Sequence, residues 1–235
     1  MKYLFILIAF ILTFNAWSQD VYSRNYAVRE ADFYYNKHIK LGANDVDYTL
    51  KSIGSPYAYP EFLPGALLTS DSVIHKNIYL RYNVHRNEME VKTSKTEDVD
   101  VFSLLKSPDF YVKIKEKVYE FVPLNGKVED GTYFEILYSG DHVDLYKNQT
   151  KKYSPPVKAR TSLQGDIPQK FEDVNKYYIV TDEGLLYEIP SSKRAKLDVF
   201  NVKKEYLEKY VKKNRLNLGD EKDLLRLISH YDSLL

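Results

Sequence analysis

The residues that most often carry chemistry are isolated from one another along this chain. No two of the five histidines share a metal-ligand spacing: His38, His75, His85, His142 and His230. Paired aspartates at 45 and 47, 98 and 100, and 141 and 144 lack the further oxygen ligands and the turn glycine of a calcium loop. Motifs of nucleotide-binding loops, nucleophile elbows and zinc peptidases do not occur. The sequence therefore predicts no cofactor and no metal site, and it nominates no catalytic residue.

One stretch places polar side chains in a row. In IYLRYNVHRNEMEV (78–91), apolar residues alternate along a predicted hairpin, which leaves Tyr79, Arg81 and Asn83 on the opposite face. This row is either a surface site or the solvated side of a structural hairpin, and the strict apolar register favours structure. If the C-terminal helices covered this face, Arg81 would need a carboxylate or carbonyl partner.

Strand patterns precede helix patterns along the chain. Residues 54–190 begin with a loop rich in proline and glycine and continue as alternating segments, with turns expected at 139–141 and 182–184. From residue 191 the apolar spacing is helical, and Asp220 is the expected N-cap of the last helix. We predict an α+β protein in which an antiparallel β-rich domain (hairpin meander, sandwich or half-barrel) precedes amphipathic helices at 191–235 that pack on it. Residues 19–53 are expected to form an arm or a weak helix.

The N-terminus predicts export. Lys2 precedes the apolar run 4–14, and small residues at Ala16 and Ser18 fit a cleavage site between Ser18 and Gln19. The run is too short to span a membrane as a helix, which takes about 20 residues. We expect residues 1–18 to be a secretory signal peptide, no transmembrane segment after its removal, and a product in the periplasm, on the outer-membrane surface or outside the cell.

Composition narrows the partners. Without residues 1–18 the chain has 33 basic and 33 acidic residues, which makes electrostatic capture of nucleic acid a poor hypothesis. The absence of cysteine excludes disulfides, thiolate metal sites and a cysteine nucleophile. The 22 tyrosines favour half-buried strand surfaces, with an aromatic surface for sugars or lipids as the functional alternative. Residues 193–215 carry nine basic and three acidic side chains, which form either a solvated helix face or a surface for anionic lipid or an acidic partner.

Four stretches together resemble a family of exported proteins common in Bacteroidota, especially flavobacteria, for which no activity is established. They are GSPYAYPEFLPG, IYLRYNVHRNEMEV, GTYFEILYSGDHVDLYKNQTKKY and YLEKYVKKNRLNLGDEKDLLRLISHYDSLL. The resemblance spans residues 54–235 and implies a lineage and an envelope location, without site residues. With the missing catalytic motifs it favours a non-enzymatic exported protein that acts by binding or structural interaction. Two alternatives stay open: a lipid or lipoprotein carrier with a half-barrel cavity, and a hydrolase of envelope polysaccharide or peptide.

Overall fold

A computed structural model describes residues 37–38, 46–96, 101–161, 163–192 and 195–235 of the chain. The predicted signal peptide with its cleavage residues Ser18 and Gln19 lies outside the described residues, and so does most of the predicted arm at 19–53.

The described residues form one twelve-stranded sheet that is antiparallel apart from a short parallel pairing of β2 with β11. The strands are β1 (Lys37–His38), β2 (Ser52–Ile53), β3 (Leu63–Leu68), β4 (Val73–Asn83), β5 (Glu88–Lys92), β6 (Phe102–Ser103), β7 (Tyr111–Ile114), β8 (Lys117–Leu124), β9 (Lys127–Ser139), β10 (Val143–Ser154), β11 (Gln169–Thr181) and β12 (Leu186–Ile189). Their order across the sheet is β1-β6-β5-β4-β3-β7-β8-β9-β10-β11-β12, with β2 added at β11. The prediction of a β-rich antiparallel domain followed by helices is confirmed.

The hairpin predicted at 78–91 has the expected register, with Leu80 opposite Val91 and Tyr82 opposite Met89. β4 begins at Val73 and continues through the polar residues 75–77 into this hairpin. Asn77 has a φ of 59°, and the pairing with β3 is irregular at this point. Asparagine tolerates this backbone region, so a bulge absorbs the polar residues without ending the strand.

Inward-facing side chains of the first half of the sheet form one core, which we call the strand core. Its buried members are Leu67, Ile78, Leu80, Tyr82, Val84, Met89, Val91, Leu104, Phe110, Val112, Ile114, Tyr119, Phe121 and Tyr133. The ring centre of Tyr82 lies 5.4 Å from that of Tyr119 and 5.7 Å from that of Tyr133. Three strands separate β4 from β9 in the sheet, so these contacts require the sheet to curl over its own aromatic side chains.

Asn87, in the turn between β4 and β5, stabilises this curvature of the sheet. Its Nδ2 donates to the carbonyl oxygen of Gly131 at 2.9 Å, and its Oδ1 accepts from the backbone N–H of Tyr133 at 3.2 Å. The residue has a φ of 53°, a region in which asparagine is enriched. A side chain therefore joins the β4–β5 hairpin to β9 where no strand ladder links them.

The C-terminal helices cover the other half of the sheet. A 3₁₀ helix (Ala195–Lys203) leads into α1 (Lys204–Asn214), and α2 (Glu221–Asp232) follows after a short loop. Together with sheet residues they bury a second set, the helix-covered core: Val143, Leu145, Ile179, Ile189, Leu197, Phe200, Leu207, Val211, Leu216, Leu218, Leu224, Leu227 and Ile228. The predicted N-cap is confirmed, since Asp220 accepts from the backbone N–H of Lys222 at 2.9 Å.

Asp232, the last residue of α2, binds the turn between β9 and β10. Its carboxylate accepts from the backbone N–H groups of residues 141, 142 and 143 at 3.1, 2.8 and 3.0 Å, and from the Tyr138 hydroxyl at 2.9 Å. Burial acts to raise the pKa of Asp232, but these hydrogen bonds outweigh it and lower the pKa to about 2. A Cβ atom at Gly140 would lie 2.4 Å from this carboxylate, so the close approach requires glycine.

Candidate functional site

The polar row of the first hairpin makes its contacts within the protein. Arg81 donates from Nε and Nη2 to Glu90 Oε2 at 2.8 and 2.5 Å, and its guanidinium lies 3.8 Å from the ring centre of Tyr57 and 4.2 Å from that of Phe62. Asn83 Nδ2 donates to the other oxygen of Glu90 at 3.0 Å. Glu90 is only 4% exposed, so Arg81 and Asn83 supply the charge and the hydrogen bonds that a buried carboxylate needs.

The element that covers this face is the loop before β3. Tyr57 and Phe62 belong to that loop, and its Pro60 carbonyl accepts from Arg81 Nη1 at 3.2 Å. The helices pack elsewhere, against residues of β10, β11 and β12. Tyr79, the third member of the row, is half-buried and pairs with Lys92 of β5. Arg81 therefore has the carboxylate partner expected if this face is covered, and the cover is the loop before β3 and not the C-terminal helices.

Four charged side chains interrupt the apolar face between the two cores. Glu135 of β9 is 4% exposed, and Lys117 Nζ lies 2.9 Å from its Oε1. Lys147 Nζ lies 4.0 Å from Glu135 Oε2 and 2.6 Å from Oε2 of Glu221, the first residue of α2. Two carboxylates thus alternate with two lysines and connect the start of α2 to the middle of the sheet.

The environments of Lys117 and Glu221 favour the charged forms of these two side chains. Burial lowers the pKa of Lys117, but the hydrogen bond and charge of Glu135 outweigh it and raise this pKa. Burial raises the pKa of Glu221, but Lys147 and the Tyr177 hydroxyl, which donates at 3.0 Å, give a net lowering of the Glu221 pKa. A general acid needs a carboxyl that holds its proton near neutral pH. The network therefore fits a structural link better than proton transfer. No local sequence pattern indicates this network, because its members lie far apart along the chain.

The carboxyl of Glu120, by contrast, has a raised pKa. Tyr146 Oη donates to Glu120 Oε2 at 2.5 Å. Burial raises the pKa of Glu120, the Tyr146 hydrogen bond opposes this shift, and the charge of Asp144 adds to it, so the net pKa is raised. Burial and the Glu120 contact also raise the pKa of Tyr146. Glu120 is therefore the carboxyl to examine for acid catalysis.

The basic segment 193–215 has several environments. Its first two residues lie outside the described part of the chain. Lys196 is buried, its Nζ donates to a backbone carbonyl in the loop before α2, and burial lowers its pKa. Lys204 pairs with Asp198 at 2.6 Å. Lys209 and Lys213 are exposed on α1, so only part of the segment offers charge to a partner.

The clearest exposed apolar surface lies at the end of β10 and β11 that is remote from the helices. Leu163, in the loop that joins these strands, is 96% exposed, and Ile167 and Val157 of the same loop are 60% and 49% exposed. Leu50 and Ile53, next to and within β2, are 46% and 53% exposed. We call these five residues the loop surface. Clustered exposed aliphatic side chains are typical of interaction sites.

The loop surface has a defined backbone. Val157 and Ile167 exchange two backbone hydrogen bonds of 2.9 Å, which pair the two sides of the loop. Together with Leu50 they line a groove of about 430 Å³. Residues 154–169 have the proline- and glycine-bearing composition of a loop. The only sequence signal of an apolar surface there is the spacing of aliphatic residues among prolines, glycine and polar residues.

Basic side chains border the loop surface. Lys51 and Lys158 line its groove, and the exposed Arg160 follows two residues later. Two aspartates are also near, but both accept local hydrogen bonds: Asp166 from the backbone N–H of Ala159 at 2.8 Å, and Asp47 from the backbone and hydroxyl of Thr49 at 2.9 and 2.6 Å. The surface therefore combines exposed aliphatic groups with three basic and two acidic side chains, which leaves a local excess of one positive charge.

Comparison with protein-family models, curated proteins and solved structures finds no match to this chain. Across the ranges that the structure describes, no three His, Asp or Glu side chains are arranged to hold a metal ion together. Neither α1, α2 nor any other described helix has the length and apolar composition that a membrane span requires.

Proposed function

We propose that this chain is an exported, non-enzymatic envelope protein that attaches to an anionic lipid surface through the loop surface. The observation that carries the proposal is the exposure of Leu163, at 96%, within a group of five exposed aliphatic residues. Insertion of such side chains between headgroups removes apolar surface from water, at about 25 cal/mol per Å². Lys51, Lys158 and Arg160 each add about 1 kcal/mol of attraction near an anionic leaflet.

The interior of the sheet favours binding at the surface over a carrier cavity. The largest fully buried side chains of the strand core are Tyr82, Tyr119, Tyr133, Phe110 and Phe121. The rings of Phe121 and Tyr133 are 5.1 Å apart, at van der Waals packing distance for tilted aromatic pairs. Aromatic side chains thus occupy the space that an enclosed lipid chain would need.

The test is sedimentation of the processed, exported protein with vesicles of phosphatidylcholine that contain about 30% phosphatidylglycerol, an anionic lipid that attracts basic side chains. The double variant Leu163→Glu/Ile167→Glu should weaken binding at least about tenfold, because charged side chains do not enter the headgroup boundary. The matched control is Val128→Glu/Leu185→Glu, which changes two aliphatic residues of 42% and 47% exposure, one near the start of β9 and one just before β12. Equal binding by the two double variants would overturn the proposal.

A second pair of variants tests the charge. Lys51→Glu/Lys158→Glu should lose binding to anionic vesicles, while Lys127→Glu, an exposed lysine at the start of β9, should not. Vesicles of phosphatidylcholine alone should bind all variants weakly. If Leu163→Glu/Ile167→Glu instead abolishes a concentration-dependent dimer of the wild type and leaves vesicle binding unchanged, the surface serves a second copy of the chain and the lipid assignment is wrong.

A hydrolase is the second candidate function, and Glu120 is the observation that favours it. A carboxyl whose pKa is raised by burial and by the charge of Asp144 has the property that glycoside hydrolysis requires of its general acid. Incubation with peptidoglycan or envelope polysaccharide should then release reducing ends, and Glu120→Gln should abolish the release. Absence of turnover by the wild type would leave Glu120 as a buried partner of Tyr146 only.

A further inference from the structure

We infer that the groove between α1 and α2 binds an acidic sugar, that is, a pyranose ring that carries a carboxylate. The groove has a volume of about 390 Å³ and is lined by Tyr206, Lys209, Tyr210, Lys213, Asn214 and His230. It is a different surface from the loop surface, and the inference does not depend on lipid attachment.

Aromatic rings supply one half of the proposed recognition. Tyr210 and His230 stack with ring centres 3.8 Å apart and planes 19° apart, and Tyr206 lies 6.0 Å from His230 at 25°. Tyr206 is 56% exposed, so the outer side of this three-ring stack is open to solvent. Tyrosine offers an apolar ring together with a hydroxyl, which suits a sugar with C–H groups on its face and hydroxyls at its edge.

Lysines supply the other half. Lys209 and Lys213 are one helical turn apart on α1, both are exposed, and neither forms an ion pair with any carboxylate of the described chain. By contrast Arg226, which borders the adjoining groove on the far side of His230, pairs with Asp223 at 3.3 Å. Like charges at this spacing repel each other, and a carboxylate bound between them relieves the repulsion.

An amide completes the set of polar groups. Asn214 Nδ2 donates to the Tyr210 carbonyl at 2.9 Å, and this bond fixes the orientation of the amide at the end of α1. Its Oδ1 is an acceptor that a sugar hydroxyl can use. The groove therefore offers a stacking face, two cations and an acceptor, which together match a ring with hydroxyls and one negative charge.

The experiment is calorimetric titration of the processed, exported protein with an oligogalacturonate, its methyl-esterified form and acetate. The esterified sugar keeps the ring and loses the charge, whereas acetate keeps the charge and lacks the ring. We expect the free oligogalacturonate to bind at least about tenfold more tightly than either. Equal affinity for the free and esterified sugars, or no heat of binding for the free sugar at millimolar concentration, would overturn the inference.

Variants locate the site. Lys209→Glu/Lys213→Glu and Tyr206→Ala should each weaken binding by about tenfold or more, a factor within reach of one stacking or charge contact. Matched controls are Lys212→Glu, an exposed lysine of the same helix outside the groove, and Tyr187→Ala, a tyrosine of 48% exposure on β12. Far-UV circular dichroism and a thermal midpoint confirm that each variant is folded. Equal losses in variants and controls would place the sugar elsewhere.

Two cross-tests separate this inference from the lipid proposal. Leu163→Glu/Ile167→Glu should bind the oligogalacturonate with wild-type affinity, and its failure to do so would refute a site in the α1–α2 groove. Lys209→Glu/Lys213→Glu should still sediment with anionic vesicles. Loss of vesicle binding in that variant would show that the loop surface is not the sole lipid contact. It would not change the interpretation of the sugar titration.

Discussion

The strand core and the helix-covered core differ in what encloses them. Strands of a single curled sheet surround the strand core, and the Asn87 side chain fastens the curl to β9. The helix-covered core needs α1 and α2 as its outer layer, and α2 is attached at both ends: Glu221 to Lys147 and Asp232 to the β9–β10 turn. One core depends mainly on aromatic packing, while the other depends also on a few charged contacts.

This difference has a consequence for stability. Loss of apolar contacts in the strand core affects strands that pair with one another across the whole sheet, so the damage is shared. Loss of a contact under the helices can release α2 while the sheet persists, because the lowest-energy openings of a protein follow its weakest attachments.

The largest effect is expected from truncation of a buried ring. Phe121 is 0% exposed and Leu227 is 0% exposed. Phe121→Ala should lower the free energy of unfolding by about 4 kcal/mol and Leu227→Ala by about 3 kcal/mol, as judged by urea titration. Hydrogen exchange should rise throughout the sheet in the first variant and mainly in α1 and α2 in the second. Uniform exchange in both variants would show that the two cores open as one unit.

Arg81→Ala should have the next largest effect. Removal of the guanidinium leaves the buried Glu90 carboxylate without its cation and empties the space between Tyr57 and Phe62, so the free energy of unfolding should fall by about 3 kcal/mol. Arg81→Lys keeps the charge but cannot make both hydrogen bonds to Glu90 Oε2, so its loss of stability should be intermediate. Lys76→Ala, an exposed change on the same strand, should alter stability by less than about 0.5 kcal/mol. A loss in Arg81→Ala no larger than this control would contradict a stabilising role.

The smallest effect is expected on acidification, when the Asp232 carboxylate becomes protonated. Its folded-state pKa of about 2 lies below the ordinary value of 3.8, so its charge stabilises the fold above pH 4, and this contribution disappears as the pH falls from 4 to 2. Because the turn is at the surface, we expect a loss of about 1–2 kcal/mol over that interval. Asp232→Asn should be less stable at pH 7 and lack this acid-dependent component. Asp109→Asn, an exposed change, should keep the wild-type pH profile when both are followed by urea titration.

The parts of the fold that could be predicted from the sequence are those that local residue patterns specify. The alternation of Leu80, Tyr82, Met89 and Val91 specifies the hairpin register, because a slip of one residue would expose this whole face. The Asp220 cap was also predictable, because its carboxylate and the backbone N–H groups of Lys222 and Asp223 lie within three residues of one another. The curl was not, because the Tyr82–Tyr133 contact and the Asn87 bonds join residues that are more than 40 positions apart.

The candidate binding surfaces could not be predicted for the same reason, since they depend on contacts between distant parts of the chain. Arg81 was recognised as the centre of a polar row, but the sequence left open what covers it. Residues 54–65 have the composition of a loop, and loops give no register from which to place their aromatic residues. The loop surface and the groove were both visible only as a turn-rich stretch and a basic helix. The exposure of Leu163 and the stacking of Tyr206 with His230 depend on three-dimensional neighbours that no spacing encodes.

The hydrogen-bonded ladder between β10 and β11 determines the distance between the turn that Asp232 binds and the loop surface. It runs without irregularity over twelve residue pairs, from Val143–Thr181 beside the turn that Asp232 binds to Ser154–Lys170 beside the loop surface. At about 3.3 Å per residue, it separates these two ends by roughly 36 Å. Ions screen charges beyond about 8 Å at physiological salt. A protein attached to anionic lipid by Leu163 and its neighbours would therefore hold the α1–α2 groove outside the membrane's repulsive field, where an acidic sugar can approach it freely.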